Sequence, residues 1–162
     1  IANALFADGA AAVCCAADGP ADGWRLRGSG SCLVPGSAEA MTWTVGDHGF
    51  EMTLARNVPG LIGQHLRPFL EAWLGKQGMA LADVRSWAVH PGGPKILAAV
   101  EEALALPSSA LADSRGVLER FGNMSSPTLL FILDDQRRRG APRPCVSLGF
   151  GPGLAVEAAL WA

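Results

Sequence analysis

Three short loops in this chain carry side chains or backbone that can handle a developing negative charge. The first is His90-Pro91-Gly92-Gly93-Pro94, which follows the apolar stretch Val84 to Val89. That stretch reads as a short strand, so His90 falls at a strand's C-terminal end, where open α/β sheets bind ligands. Gly92 and Gly93 let a ligand come close to the backbone, and the helix expected next offers free N–H groups at its start. The competing reading is a structural histidine at a turn. The second loop is Gly122-Asn123-Met124-Ser125-Ser126. The Asn123 amide can donate to an oxyanion; equally, Gly122 or Asn123 in a left-handed conformation would simply end the preceding helix. The third is Gly149-Phe150-Gly151-Pro152-Gly153. It reads as a hairpin turn or as a glycine-rich wall against substrate, and it lacks the spacing of a dinucleotide-binding fingerprint.

Other chemistries are disfavoured. The four cysteines stand at 14, 15, 32 and 145 with no CxxC spacing, which argues against a zinc site or a disulfide scaffold. They read as buried free thiols in a reducing cytoplasm. The net charge of −2 gives no basic excess for nucleic acid, and the run Arg137-Arg138-Arg139 reads as a solvated helix end. No segment reads as a signal peptide, and the apolar run Ala10 to Ala17 is far short of the ~20 residues of a membrane helix. The excess of arginine over lysine, with abundant alanine and glycine, reads as the coding bias of a GC-rich bacterium.

The elements that must position these loops follow from periodicity. With 162 residues, 49% of them hydrophobic, the chain suits one domain with a sizeable core. Ala4 to Gly9 reads as a compact turn-like segment leading into Ala10–Ala17, read as a buried strand; a chain opening on a core strand reads as a piece of something longer. Trp24 to Val34 alternates like a strand, as do Phe50, Met52 and Leu54, with loop signals Pro35-Gly36-Ser37 and Gly46-Asp47 between them. From Pro59, the residues Leu61, Ile62, His65, Leu66, Phe69, Leu70 and Trp73 share a helical face that closes at Gly75 to Gly78. Lys95 to Leu106 is a second helix. A third runs to about Phe121, capped by Ser109 or Asp113. A fourth covers Pro127 to Arg139, with Pro127 in its first turn. Cys145 to Leu148 and Leu154 to Leu160 are the last strands. The class is α/β, a mixed β-sheet covered by α-helices.

Taken in order, Trp87 to Pro94, Phe121 to Ser126 and Leu148 to Gly153 resemble the C-terminal domain of the chalcone and stilbene synthase family, the type III polyketide synthases. Ala4-Leu5-Phe6-Ala7-Asp8-Gly9-Ala10 and Asn57-Val58-Pro59-Gly60 extend the resemblance over essentially the whole chain, residues 1–162. The resemblance implies the C-terminal half of a thiolase-like fold. It implies an acyltransferase that condenses malonyl-CoA decarboxylatively onto an acyl-CoA starter and cyclises the product, using CoA thioesters and no other cofactor or metal. A homodimer is expected of the full-length enzyme. The family's triad is cysteine, histidine and asparagine. The resemblance makes His90 and Asn123 its catalytic members here and puts the cysteine in an N-terminal half that this sequence does not contain, so the chain alone is expected to be inactive.

The same resemblance makes Phe6 a gatekeeper between the CoA tunnel and the cavity. Met52 falls where plant members have a second gatekeeper phenylalanine. Trp43 falls where plant chalcone synthases have a small glycine, which would shrink or reshape the cavity. Gly92, Gly93, Ser125, Gly151 and Pro152 would line the cavity, and Lys95 and Arg56 would meet CoA phosphates, solvated surface charge being the other reading of these two. Trp43-Thr44-Val45-Gly46-Asp47-His48-Gly49-Phe50 is more similar to bacterial members. One rival is a ketoacyl-ACP synthase of the initiating type, which usually shows His-Gln-Ala-Asn where this chain has His90-Pro91-Gly92-Gly93. The other is a non-catalytic binding or scaffold domain of the same fold.

Overall fold

Strands form where apolar and small residues alternate, and helices where apolar residues recur every three to four positions. The computed structural model describes residues 5–20 and 23–162. In chain order it holds β1 (Leu26–Leu33), β2 (Met41–Gly46), β3 (Gly49–Leu54), α1 (Val58–Lys76), β4 (Ser86–Val89), α2 (Pro94–Leu104), α3 (Ala112–Phe121), α4 (Ser126–Arg138), β5 (Cys145–Gly151) and β6 (Ala155–Trp161). Short 3-10 turns precede β4 and α3.

Four strands make one sheet in the order β1-β6-β5-β4. Only β4 and β5 run parallel; the other pairs are antiparallel, so the sheet is mixed as expected. Side chains alternate across it and build two cores. Trp87, Val89, Val146 and Leu148 face the helices α1 and α2, with Ile62, Leu66, Leu70 and Leu97. Ala88 and Cys145 face α3 and α4, with Val117 and Ile132. Ile62, Leu66 and Leu70 of α1 are wholly buried, as the helical spacing predicts. β1 brings Gly30 under the Trp73 ring: a Cβ there would sit 2.5 Å from Trp73 Cδ1, and the indole Nε1 donates to Ser29 O at 3.1 Å. No helix of the described residues is long and apolar enough to cross a membrane.

Several expectations need correction. Ala10–Ala17 is neither buried nor a strand; its residues are exposed, because no described strand pairs with it. Cys14 and Cys15 on it are therefore exposed, and of the four thiols only Cys145 is buried, with Cys32 half-buried. The segment after Ala4, which itself lies outside the described residues, is no self-contained turn, since Phe6 bridges to Asn123 in parallel. The linker before Phe50 contains β2, which pairs with β3 from Met41↔Leu54 to Gly46↔Gly49. Its two threonines alternate with Met41, Trp43 and Val45 at a strand's period, and their partners are Thr53 and Glu51. Neither Ser109 nor Asp113 caps α3: Leu111 stands at its N-cap, no side chain makes a cap bond there, and Asp113 lies in the first turn. Gly149-Phe150-Gly151 belongs to β5, and the turn is the shorter Pro152–Leu154. The basic run does close α4: Arg137 and Arg138 pair with Asp134, and Arg139 with Asp113.

Candidate functional site

His90 comes directly after β4. Its N–H donates to Leu148 O on β5 at 2.8 Å, which continues the parallel ladder one residue past the strand. Its side chain is largely buried, and burial pushes the imidazole down to about 4 from its ordinary 6.5. The ring is therefore neutral at neutral pH, one nitrogen carrying a proton to donate and the other free to accept. Gly93 is buried, and α2 starts at the next residue. A Cβ on Gly92 or Gly93 would meet only ordinary contacts, 3.5 Å from Ile96 and 3.7 Å from Leu5. The fold itself does not require glycine at either position.

Asn123 is 4% exposed. Its N–H donates to Leu5 O at 2.7 Å, and its carbonyl accepts from Ala7 N–H at 2.9 Å. Gly122, at φ +73°, ends α3, its N–H returning to Leu118 O. The cap and the functional reading thus fall on different residues. The Asn123 Oδ1 accepts from Ser125 N–H at 2.9 Å. That donor fixes which end of the amide is oxygen and leaves Nδ2 as the end able to donate elsewhere. Ser125 sits at φ +62°, ψ −136°, a conformation an L residue holds only under constraint. Met124 N–H is bound by Thr128 Oγ1 at 2.8 Å.

Leu5 is what the two loops share. Its backbone holds Asn123, and its side chain is the nearest neighbour of the space above Gly93. A Cβ at Gly9 would lie 2.5 Å from Met124 Sδ, so the segment from Leu5 to Gly9 is seated closely on the Asn123 loop. Phe6 projects from that segment, 40% exposed. The segment from Leu5 to Gly9 thus touches both loops, the Asn123 loop through its backbone and the His90 loop through Leu5 at Gly93. Leu5 gave no signal in the sequence beyond standing next to Phe6.

Trp43 and Met52 form a second group. They are directly opposed across the β2–β3 hairpin, and Trp43 meets Phe50 edge-on at 5.7 Å. Met41, Trp43, Val45, Phe50, Met52 and Leu54 share one hairpin face by register. Gly153 N–H donates to Met41 O, and Ser37 Oγ donates to Gly153 O. The turn that holds Pro152 is thereby tied to the hairpin at Gly153, while Gly149 follows the Leu148 that holds His90. Lys95 stands apart from both groups. It lines a groove of about 820 Å³ between α1 and α2 with Gly63, Gln64, Arg67 and Glu102. Arg56 is exposed just ahead of α1 and does not line that groove. Burial pushes the Cys145 thiol up to about 11, which keeps it protonated.

The family description "Chalcone and stilbene synthases, C-terminal domain" matches residues 25–162. A 1,3,6,8-tetrahydroxynaphthalene synthase from Streptomyces peucetius subsp. caesius is 38% identical over 165 aligned residues, covering 97% of this chain and 44% of the relative. The crystal structure of PKS-I from the brown alga Ectocarpus siliculosus superposes with a TM-score of 0.84 at 27% identity, covering 90% of this chain and 41% of that one. The chain therefore spans less than half the length of each of these relatives.

Proposed function

Because this chain belongs to the chalcone and stilbene synthase family, we propose that it acts as the C-terminal half of a type III polyketide synthase. That enzyme would be an acyltransferase extending an acyl-CoA starter with malonyl-CoA and cyclising the product. The observation that carries the reading is the shared seat on Leu5, which joins the loop of a largely buried, neutral His90 to the loop of Asn123, whose Nδ2 is the amide end left to donate.

The chemistry suits such a pair. When a malonyl thioester loses CO2, the electron pair of the broken C–C bond becomes an enolate with its charge on the thioester oxygen. An imidazole N–H and the Asn123 amide can both donate to that oxygen. The enolate carbon then attacks an acyl-cysteine carbonyl, and the same donors can serve the tetrahedral oxyanion before the thiolate departs. Burial disfavours the imidazolium, so His90 acts here first as a donor. It would become a cation only beside the thiolate that an N-terminal half supplies.

Gly92 and Gly93, which packing does not require, would give room for substrate. Phe6 and Ser125 would stand at its edge. Trp43, Met52, Gly151 and Pro152 would form the wall that sets starter size, and Lys95 in its groove, with Arg56, would meet CoA phosphates. The whole enzyme is expected to be a cytoplasmic homodimer. The test is CO2 release from malonyl-CoA by this chain alone and by the same chain joined to an in-frame upstream half bearing a nucleophilic cysteine. Activity only in the joined form is expected. Condensation by the chain alone, or an upstream sequence without such a cysteine, would overturn the proposal.

A further inference from the structure

We propose that Ser114 is a positioning residue for His90, holding the end of β4 from outside the sheet while β5 holds it from inside. The inference rests on the reading of His90 given above, and its geometry stands independently. β4 is the edge of the sheet, so every second residue turns its N–H and C=O away from β5. His90 N–H points inward to Leu148 O at 2.8 Å. Val89 N–H, one residue earlier, points outward, and there it donates to Ser114 Oγ at 3.0 Å. Ser114 is wholly buried, one of only two buried residues of α3. Two residues before Val89 the outward Trp87 carbonyl accepts from Gln136 Nε2 of α4 at 2.9 Å, and Gln136 is 1% exposed. Two buried polar side chains on helices thus replace the missing neighbour strand.

Ser114 has a further reach through its neighbour. Arg115 pairs with Glu101 of α2, and α2 begins where the His90 loop ends. Consecutive residues of α3 therefore tie down the strand before the loop and the helix after it. With Ser114 removed, Val89 N–H would be a buried orphan, and the residue carrying the imidazole would be fixed from one side only.

The test is proton–carbon NMR of the imidazole Cε1–H groups in this chain, whose three histidines are His48, His65 and His90. The wild-type His90 signal is expected to titrate near 4. In Ser114→Ala it should shift, and its midpoint should rise by about 1 pH unit as water reaches the ring, with His48 and His65 unmoved. Ser114→Thr, which keeps the hydroxyl, should restore the wild-type signal. Ser114→Cys keeps the shape with a weaker acceptor and should fall between, which preserves the test if the alanine variant does not fold. An unmoved His90 signal in a cooperatively unfolding Ser114→Ala or Ser114→Cys variant overturns the role, as does equal movement of all three histidines. The measurement needs no catalysis. Its failure removes the positioning role alone, whereas undiminished CO2 release by His90→Gln in the joined enzyme removes the catalytic reading alone.

Discussion

The Asn123 side chain has two ends with two different tasks. Oδ1 holds Ser125 in its constrained backbone conformation, and Nδ2 is the end that the proposed function assigns to an oxyanion. Asparagine to aspartate separates them, since an aspartate still accepts from Ser125 N–H but can donate nothing when ionised. Asn123→Asp and Asn123→Ala in the joined enzyme should both lower decarboxylation by ~10²–10³, the usual cost of an oxyanion donor. Only the alanine variant should also loosen the loop, read as faster amide exchange at Ser125. Undiminished CO2 release in the aspartate variant would sink the donor role. At His90 the consequence is a pH dependence of stability. Its folded value of about 4 lies below the ordinary 6.5, so the unfolded chain binds the proton more readily. The contribution is complete above pH 6.5 and is lost as pH falls through about 4, up to about 3 kcal/mol. Urea midpoints should therefore fall less steeply over that range in His90→Gln than in wild type; parallel slopes would show that the ring is not buried neutral.

At the scale of elements, β1 and α1 meet at a contact that admits no side chain. Trp73 is held by its bond to Ser29 O and cannot easily slide from a Cβ at Gly30. Gly30→Ala should cost ~1–3 kcal/mol by overpacking, measured as a lower urea midpoint with unchanged slope; an unchanged midpoint would mean the ring moves freely. The same contact gives two small residues of β1 their place, since Ser29 and Gly30 make the seat of Trp73. The helices were legible because one face each repeats every three to four residues, and β4 and β5 because short runs bearing Trp87, Val89, Val146 and Leu148 lie between turn signals. β2 carries the same signal, Met41, Trp43 and Val45 alternating with threonines, but it lies in a short segment flanked on both sides by turn signals. Ala10–Ala17 misled for a different reason: an apolar run states that a segment favours cover, not which part of a molecule supplies it. In the same way His90 and Asn123 stood out by residue type and loop, whereas Ser114 and Gln136 look like ordinary polar helix positions until the sheet order makes β4 an edge.

For the molecule as a whole, the decisive quantity is apolar surface without a neighbour. Val45 is 79% exposed, Phe50 70%, Leu33 67% and Val13 57%. By register Val45 and Phe50 oppose each other on the hairpin face that also bears Trp43 and Met52. Scattered apolar residues on a surface are ordinary, but a contiguous face of this kind drives association. The chain on its own should therefore self-associate with rising concentration, seen as a weight-average sedimentation coefficient that climbs across a dilution series. Phe50→Ser with Val45→Thr should suppress that climb while leaving the urea midpoint within about 0.5 kcal/mol of wild type, since both side chains are already in water. Joining the chain to its proposed N-terminal half should abolish the concentration dependence in favour of one discrete species, because the half that brings the cysteine would also cover this face. If the doubly substituted chain associates as strongly as the wild type, the hairpin is not the adhesive surface. If the joined protein still climbs, the face is not where the proposed N-terminal half sits.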